Sequence, residues 1–207
     1  MIAIVDYGVG NLFSLESSFK AIGADVIVTS DKAVIESADK IILPGVGAFE
    51  DAIKKLNESG LKEVVINQAK KGKYLLGICL GMQLLFEKSL EYGEHEGLGL
   101  IPGQVRPIDE VIPKTYKVPH IGWNQLEFGR EKSKLFKYLR EGECVYFVHS
   151  YYGANCDESV IATAEYGASL TAAVAKGNVF GCQFHPEKSG KAGLSILKAF
   201  CEMGDKK

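Results

Sequence analysis

Tyr74-Leu75-Leu76-Gly77-Ile78-Cys79-Leu80-Gly81-Met82-Gln83 decides how this chain folds. Tyr74 to Ile78 is an apolar run of strand length, and Gly81 to Lys88 reads as a helix directly after it. Between them lies Gly77-Ile78-Cys79-Leu80-Gly81, a G-x-C-x-G pattern. A strand that turns abruptly into a helix presents the middle residue on a strained corner at the end of a sheet. Side chains two positions either side of that corner would clash, and glycine at 77 and 81 removes the clash. The corner also suits a thiol nucleophile. A free cysteine has a pKa of about 8.5, so only a few per cent is thiolate at neutral pH. A helix N-terminus and a nearby imidazolium both favour the anion. The Leu80 N–H, next after the sulfur, is a natural donor to an oxyanion. The same five residues also suit a buried structural cysteine between two turn glycines.

Upstream, apolar runs alternate with amphipathic stretches. Ile2 to Val5, Val26 to Val28 and Lys40 to Leu43 read as strands, the last stopped by Pro44-Gly45. Asn11 to Ile22, Phe49 to Leu56 and Leu61 to Lys70 read as helices; in the first, Leu12, Leu15, Phe19 and Ile22 form one stripe. Such alternation requires crossover connections, and so a parallel sheet. Downstream of Gly103 the character changes. Val118 to Ile121, Cys144 to Val148, Val160 to Ala164, Thr171 to Ala175 and Val179 to Phe184 are short β-prone runs, with a hairpin signal at Lys176-Gly177-Asn178. A last helix runs from Lys191 to Met203. The pattern predicts one α/β domain over residues 1–207. Its open, mostly parallel mixed sheet carries helices on both faces, with an antiparallel extension in the second half.

Composition narrows the partners. Lys and Arg number 24 against 26 Asp and Glu, a formal charge of -2. Nucleic acid and anionic membrane surfaces both call for a basic patch, and this balance argues against them. The five cysteines (Cys79, Cys144, Cys156, Cys182, Cys201) include no C-x-x-C pair and are odd in number, which argues against a zinc site or a disulfide framework. Reduced thiols in the cytoplasm are the expectation. Met1 leads straight into Ile2-Ala3-Ile4-Val5, without the basic start of a signal peptide, and no apolar run reaches the length of a membrane span.

A base for the thiol stands near the far end, in Gln183-Phe184-His185-Pro186-Glu187. His185 follows an apolar β-prone run, and Pro186 pushes it into extended geometry. In extended chain, residues two apart point the same way, so Glu187 can lie beside the imidazole and fix its tautomer. Nucleophile, base and orienting carboxylate then make a triad in which cysteine replaces serine. A surface turn with a solvated glutamate is the alternative. Among the other histidines, His95 sits in a polar, Gly- and Glu-rich stretch, while His120 and His149 flank apolar segments as core or interface residues. None has a carboxylate placed as Glu187 is.

The elbow through Met82-Gln83, with His185-Pro186-Glu187, resembles the class I (triad-type) glutamine amidotransferases, whose fold is flavodoxin-like. Asp6-Tyr7-Gly8-Val9-Gly10-Asn11, Pro44-Gly45-Val46-Gly47, Pro119-His120-Ile121-Gly122-Trp123-Asn124 and Phe147-Val148-His149-Ser150-Tyr151 resemble, more narrowly, the glutaminase subunits of imidazole glycerol phosphate synthase. The similarity runs essentially end to end. It implies Cys79 as nucleophile, His185 as base and acid, Glu187 as orienter, and a γ-glutamyl thioester released by water. It assigns the oxyanion hole to Gly45, Val46, Gly47 and Leu80, and L-glutamine binding to Gln83, Glu91, Ser150 and Tyr151. It implies a (β/α)8 cyclase as partner in a heterodimer of histidine biosynthesis, with Asn11, Trp123, Asn124, Tyr146 and Lys188 at or near the interface, and no cofactor or metal. Two of these assignments have a plain alternative: a half-buried core aromatic for Trp123, and a turn closing the third strand for the glycine loop. Family activity depends on ligand in the distant cyclase site. One misdirected oxyanion donor costs roughly 10²–10³ in rate, so a peptide of the glycine loop that turns only when the partner is loaded would suffice. The same chemistry feeding another synthetase, such as one amidating a surface sugar, fits the triad equally. A non-catalytic binding subunit and a thiol hydrolase of esters or peptides are the more distant readings. No motif offers a role for Arg106 to Lys117.

Overall fold

The computed structural model describes residues 1–204. The first half comprises β1 (Ile2–Val5), α1 (Leu12–Ala21), β2 (Val26–Thr29), α2 (Lys32–Ser37), β3 (Lys40–Leu43), α3 (Phe49–Glu58), α4 (Leu61–Lys70), β4 (Tyr74–Ile78) and α5 (Leu80–Leu84). Then follow β5 (Phe86–Ser89), β6 (His95–Glu96), β7 (Ile101–Pro107), β8 (His120–Gln125), β9 (Glu127–Phe128), β10 (Cys144–His149) and β11 (Tyr151–Ala154). β12 (Val160–Glu165), β13 (Ser169–Lys176), β14 (Val179–Cys182) and α6 (Gly190–Cys201) complete the fold.

The main sheet has eight strands in the order β2-β1-β3-β4-β14-β13-β12-β9. The run from β2 to β14 is parallel, and β13, β12 and β9 extend it antiparallel. Successive strand residues pack on opposite faces, as a two-residue period requires. Ala3, Val5, Ile41 and Leu43 meet Ile35 of α2 and the apolar stripes of α3 and α4. Ile2, Ile4, Ile42 and Leu76 meet Leu15 and Phe19 of α1 and Ile196, Leu197 and Phe200 of α6. Helices therefore cover both faces, and buried strands read as unbroken apolar runs because neither face meets water.

Two smaller sheets stand beside this one: β10 with β8, and β11-β7-β5-β6. The second of them departs from the sequence reading. The segment expected as one helix from Gly81 to Lys88 is a short α5 followed by β5, which pairs with β6 and β7. Phe86 makes the difference. Its ring is fully buried against Gly153, where even a Cβ would lie 2.4 Å from the ring carbon Cζ. Burial of a large aromatic against a partner far along the chain outweighs local helix preference. In the run Val179 to Phe184 the strand ends at Cys182; Gln183 N–H still donates to Ala172 O of β13, and His185 N–H turns to Tyr146 O of β10.

Candidate active site

Three neighbouring parallel strands end at one cleft, at the carboxyl edge of the sheet where α/β folds gather their sites. β3 delivers Pro44 to Gly47, β4 delivers Cys79, and β14 leads to His185. The cleft has a volume of about 500 Å³.

Cys79 sits at φ 54°, ψ −113°, a left-handed corner that costs a side-chain-bearing residue energy. The glycines around it are compulsory. A Cβ on Gly81 would stand 1.9 Å from Leu43 O, and one on Gly77 would stand 2.6 Å from Gly81 O, both backbone atoms. The corner is tied to the sheet by the Cys79 N–H, which donates to Cys182 O. Leu80 is the first residue of α5, so its N–H has no acceptor within the helix, and the residue lines the cleft.

His185 is 2 % exposed, and its Nδ1 lies 2.8 Å from Glu187 Oε1. That contact leaves Nε2 for the thiol. Burial alone would lower the ring's pKa; Cys79 and Glu187, each as hydrogen-bond partner and as charge, outweigh it and raise the pKa to about 9. At neutral pH the ring is an imidazolium, the companion that stabilises a thiolate. The other carboxylate oxygen, Glu187 Oε2, is buried without a hydrogen-bond partner among the described residues.

Gly45 to Gly47 cross over the elbow. A Cβ on Gly45 would lie 2.7 Å from the Gly81 nitrogen, so only glycine lets this loop approach. Val46 and Gly47 line the cleft, and Gly47 stands at φ 95°. Sequence reasoning gave no role to Tyr7, whose buried hydroxyl donates to Pro44 O across 2.6 Å and pins the start of the loop. Its partner lies 37 residues away, and no local pattern reveals it.

Gln83, Glu91, Ser150 and Tyr151 all line the cleft. Glu91 Oε2 accepts the Phe49 N–H at the start of α3, 2.6 Å away. Burial raises its pKa against that hydrogen bond. The Gln83 amide nitrogen donates to Tyr151 O (3.2 Å) and Gln183 Oε1 (3.1 Å), leaving its own oxygen for a substrate donor. Gln183 Nε2 in turn donates to Cys79 Sγ across 3.8 Å, a contact the sequence reading did not assign. Pro107 and Asp109 reach the rim, so part of the Arg106 to Lys117 segment borders the cleft.

Of the residues expected at a partner interface, Lys188 lines the cleft. Trp123 is 56 % exposed, Lys188 is exposed with its ammonium 5.8 Å from the Tyr146 ring centre, and Asn11, half-buried, precedes α1 without a side-chain capping bond. The Asn124 side chain turns inward, donating to Glu165 O (2.8 Å) and pairing with His120 Nε2 (3.3 Å). His120 and His149 are buried; His95 is partly buried, 4.0 Å from Glu50. None of the three holds a carboxylate as His185 holds Glu187. The whole constellation can carry acyl transfer through a thioester: a thiol, a charged ring, an orienting acid and backbone donors around one opening.

Comparison with known proteins places the chain in a family. A model of the family described as glutamine amidotransferase class-I matches residues 3–203. Imidazole glycerol phosphate synthase subunit HisH of Bacillus cereus is 53 % identical over 200 residues, covering 97 % of this chain and 93 % of the relative. The protein of the same description from Caldanaerobacter subterraneus subsp. tengcongensis is 50 % identical over 204 residues, with 98 % of each chain covered. Among solved structures, one described as a glutamine amidotransferase superimposes with a TM-score of 0.74 at 21 % identity, covering 97 % of this chain and 99 % of that one.

Proposed function

Because the chain belongs to the class-I glutamine amidotransferase family, we propose that it is the glutaminase subunit of an imidazole glycerol phosphate synthase, a single glutaminase domain across residues 1–207, of which 205–207 lie outside the described residues. The observation that carries the reading is the meeting of Cys79 and His185 in one cleft at the end of the parallel strands, with the buried Glu187 carboxylate 2.8 Å from the ring.

The chemistry follows from the positions. Cys79 Sγ attacks the side-chain amide carbon of glutamine, and the carbonyl oxygen takes the negative charge. The Leu80 N–H and the Gly45–Gly47 loop face that oxygen as donors. His185 gives its proton to the amide nitrogen, the C–N bond breaks, and ammonia leaves. A γ-glutamyl thioester remains on Cys79. Water then attacks the thioester, His185 takes its proton, the C–S bond breaks, and glutamate departs. Glu187 holds the ring in register throughout. Glu91, Gln83, Ser150 and Tyr151 hold the substrate's amino-acid end.

The ammonia passes to a (β/α)8 cyclase subunit seated over the exposed face that carries Trp123, Lys188, Tyr146 and Asn11, with Asn124 behind it. The site of action is the cytoplasm; no helix among the described residues is long and apolar enough to cross a membrane. The test is a glutaminase assay with and without a histidine-pathway cyclase and its ligand, read together with imidazole glycerol phosphate formation. Glutamine hydrolysis without that product would assign the ammonia to another synthetase. Absence of hydrolysis in the loaded complex would overturn the proposal.

A further inference from the structure

His120 and His149 are buried titratable side chains that the mechanism above leaves unused. They face each other across the β8–β10 pair, where His120 is the register partner of His149. His120 Nδ1 lies 2.9 Å from His149 Nε2, and His149 Nδ1 lies 2.8 Å from Tyr151 O. Asn124 Nδ2 closes the far end, 3.3 Å from His120 Nε2.

The chemistry of the ends fixes every proton between them. Tyr151 O can only accept, so His149 Nδ1 carries a hydrogen. A neutral imidazole has one N–H, so His149 Nε2 is a bare acceptor and His120 Nδ1 must donate to it. His120 Nε2 is then bare in turn, and the Asn124 amide donates to it. Burial keeps both rings uncharged at neutral pH, lowering each pKa to about 4. The ring planes are held as well: His120 stacks between Phe147 (4.8 Å between centres) and Tyr166 (4.1 Å).

The chain of bonds continues past Tyr151 O. That carbonyl also receives Gln83 Nε2, whose second hydrogen goes to Gln183 Oε1, and Gln183 Nε2 donates to Cys79 Sγ. A continuous set of hydrogen bonds therefore joins β8 to the nucleophile, with Tyr151 O as the shared acceptor on which the histidine pair and Gln83 converge. Resting on the glutaminase reading, we propose that His120 and His149 are positioning residues for glutamine hydrolysis: the uncharged pair locks the Tyr151 carbonyl, and through it the Gln83–Gln183 amides that seat the Cys79 thiol. His149 borders the cleft, and both rings act through the Tyr151 carbonyl. β8 carries His120 on its inner side and the exposed Ile121 and Trp123 on its outer side.

The experiment compares His149→Phe with His149→Asn, and His120→Phe with His120→Asn, by glutaminase kcat and KM in complex with the cyclase subunit. Asparagine places an N–H where Nδ1 stands; phenylalanine keeps the ring and removes the donor. The phenylalanine variants lose about 10- to 100-fold in kcat, the scale of a misplacement near 1 Å, with smaller changes in KM. The asparagine variants recover most of that loss. Phenylalanine variants with wild-type kcat, or equal impairment of both substitutions, would overturn the proposal. Nitrogen-15 NMR of the wild-type imidazoles at neutral pH needs no variant to fold. Both rings give the Nδ1–H tautomer; an Nε2–H or charged ring at either position sinks the relay. A wild-type complex inactive toward glutamine would instead defeat the glutaminase reading.

Discussion

Glu187→Gln tests the site most sharply, because it changes one charge and almost no volume. The carboxylate sits 2.8 Å from His185 Nδ1, with both side chains almost wholly buried. Removing one partner of a buried ion pair leaves the other uncompensated, at a cost of roughly 3–5 kcal/mol. If that cost falls on the imidazolium-bearing state that protonates the leaving nitrogen, kcat drops by roughly 10² to 5 × 10³, at about 1.4 kcal/mol per tenfold. The ring also loses one of the two partners that hold its pKa at about 9, so its pKa falls. The sign for activity follows: the charged ring is present below its pKa, so the alkaline limb of kcat/KM, near pH 9 in the wild type, moves to lower pH. Stability follows the same direction. A raised pKa contributes stability that is complete below the unfolded value, about 6.5, and is lost as pH rises through about 9. The variant's stability is therefore flatter across that window. Glutamate release in the partner complex gives kcat and kcat/KM, and urea denaturation at several pH values gives the linkage. A variant with wild-type kcat and an unmoved alkaline limb would refute the assignment of Glu187 to His185.

Other substitutions separate scaffold from chemistry. Cys79→Ser abolishes covalent labelling by a glutamine-mimicking electrophile while leaving the melting curve intact; residual labelling would place the nucleophile elsewhere. Gly81→Ala forces a Cβ to 1.9 Å from Leu43 O and destabilises the fold by about 3 kcal/mol or more, measured by urea denaturation. Tyr7→Phe leaves Pro44 O buried without its donor, costing about 1–3 kcal/mol of stability, and lowers glutaminase kcat through the loosened loop. Trp123→Ala weakens cyclase binding by about 2 kcal/mol, roughly 30-fold in Kd by titration calorimetry, if the exposed ring anchors the interface.

What the sequence made legible was what is local. The elbow needs only five consecutive residues, and the clash relieved by Gly77 and Gly81 is short-range, so Cys79 could be read without a fold. His185 and Glu187 lie two apart and do pair, but not by strand alternation: His185 is extended, and a 3-10 turn over Pro186–Lys188 brings the Glu187 carboxylate back to the ring. The parallel strands declared themselves because burial on both faces leaves an unbroken apolar run, as in Ile2–Val5. What stayed hidden depends on distant partners. β5 is a strand because Phe86 packs on Gly153, while α2 is a short helix whose single fully buried residue is Ile35 and whose cap, Asp31, accepts the Ala33 N–H across 2.8 Å. Gln183 was quoted beside His185 without a role, since its sulfur acceptor lies 104 positions earlier. His120 and His149 read as core or interface residues because their connection exists only in the register of β8 and β10.

The glycine loop shows how the fold confines where an oxyanion donor could turn. At its entry, Pro44 O is fixed by the Tyr7 hydroxyl, and Gly45 is wedged against the Gly81 nitrogen and Leu80 Cβ. A rotation of the Pro44–Gly45 peptide would break a buried hydrogen bond, with its desolvated acceptor left behind. At its exit the constraints vanish: a Cβ on Gly47 would meet nothing within 4 Å, and Val46 is exposed to the cleft. A positive φ at Gly47 gives that end access to conformations closed to other residues. Any reorientation that switches the hole on is therefore confined to the peptides around Val46, beside the cleft mouth and away from the anchored elbow. Cys79, His185 and Glu187 can then remain in place while a single N–H decides whether charge on the substrate oxygen is stabilised.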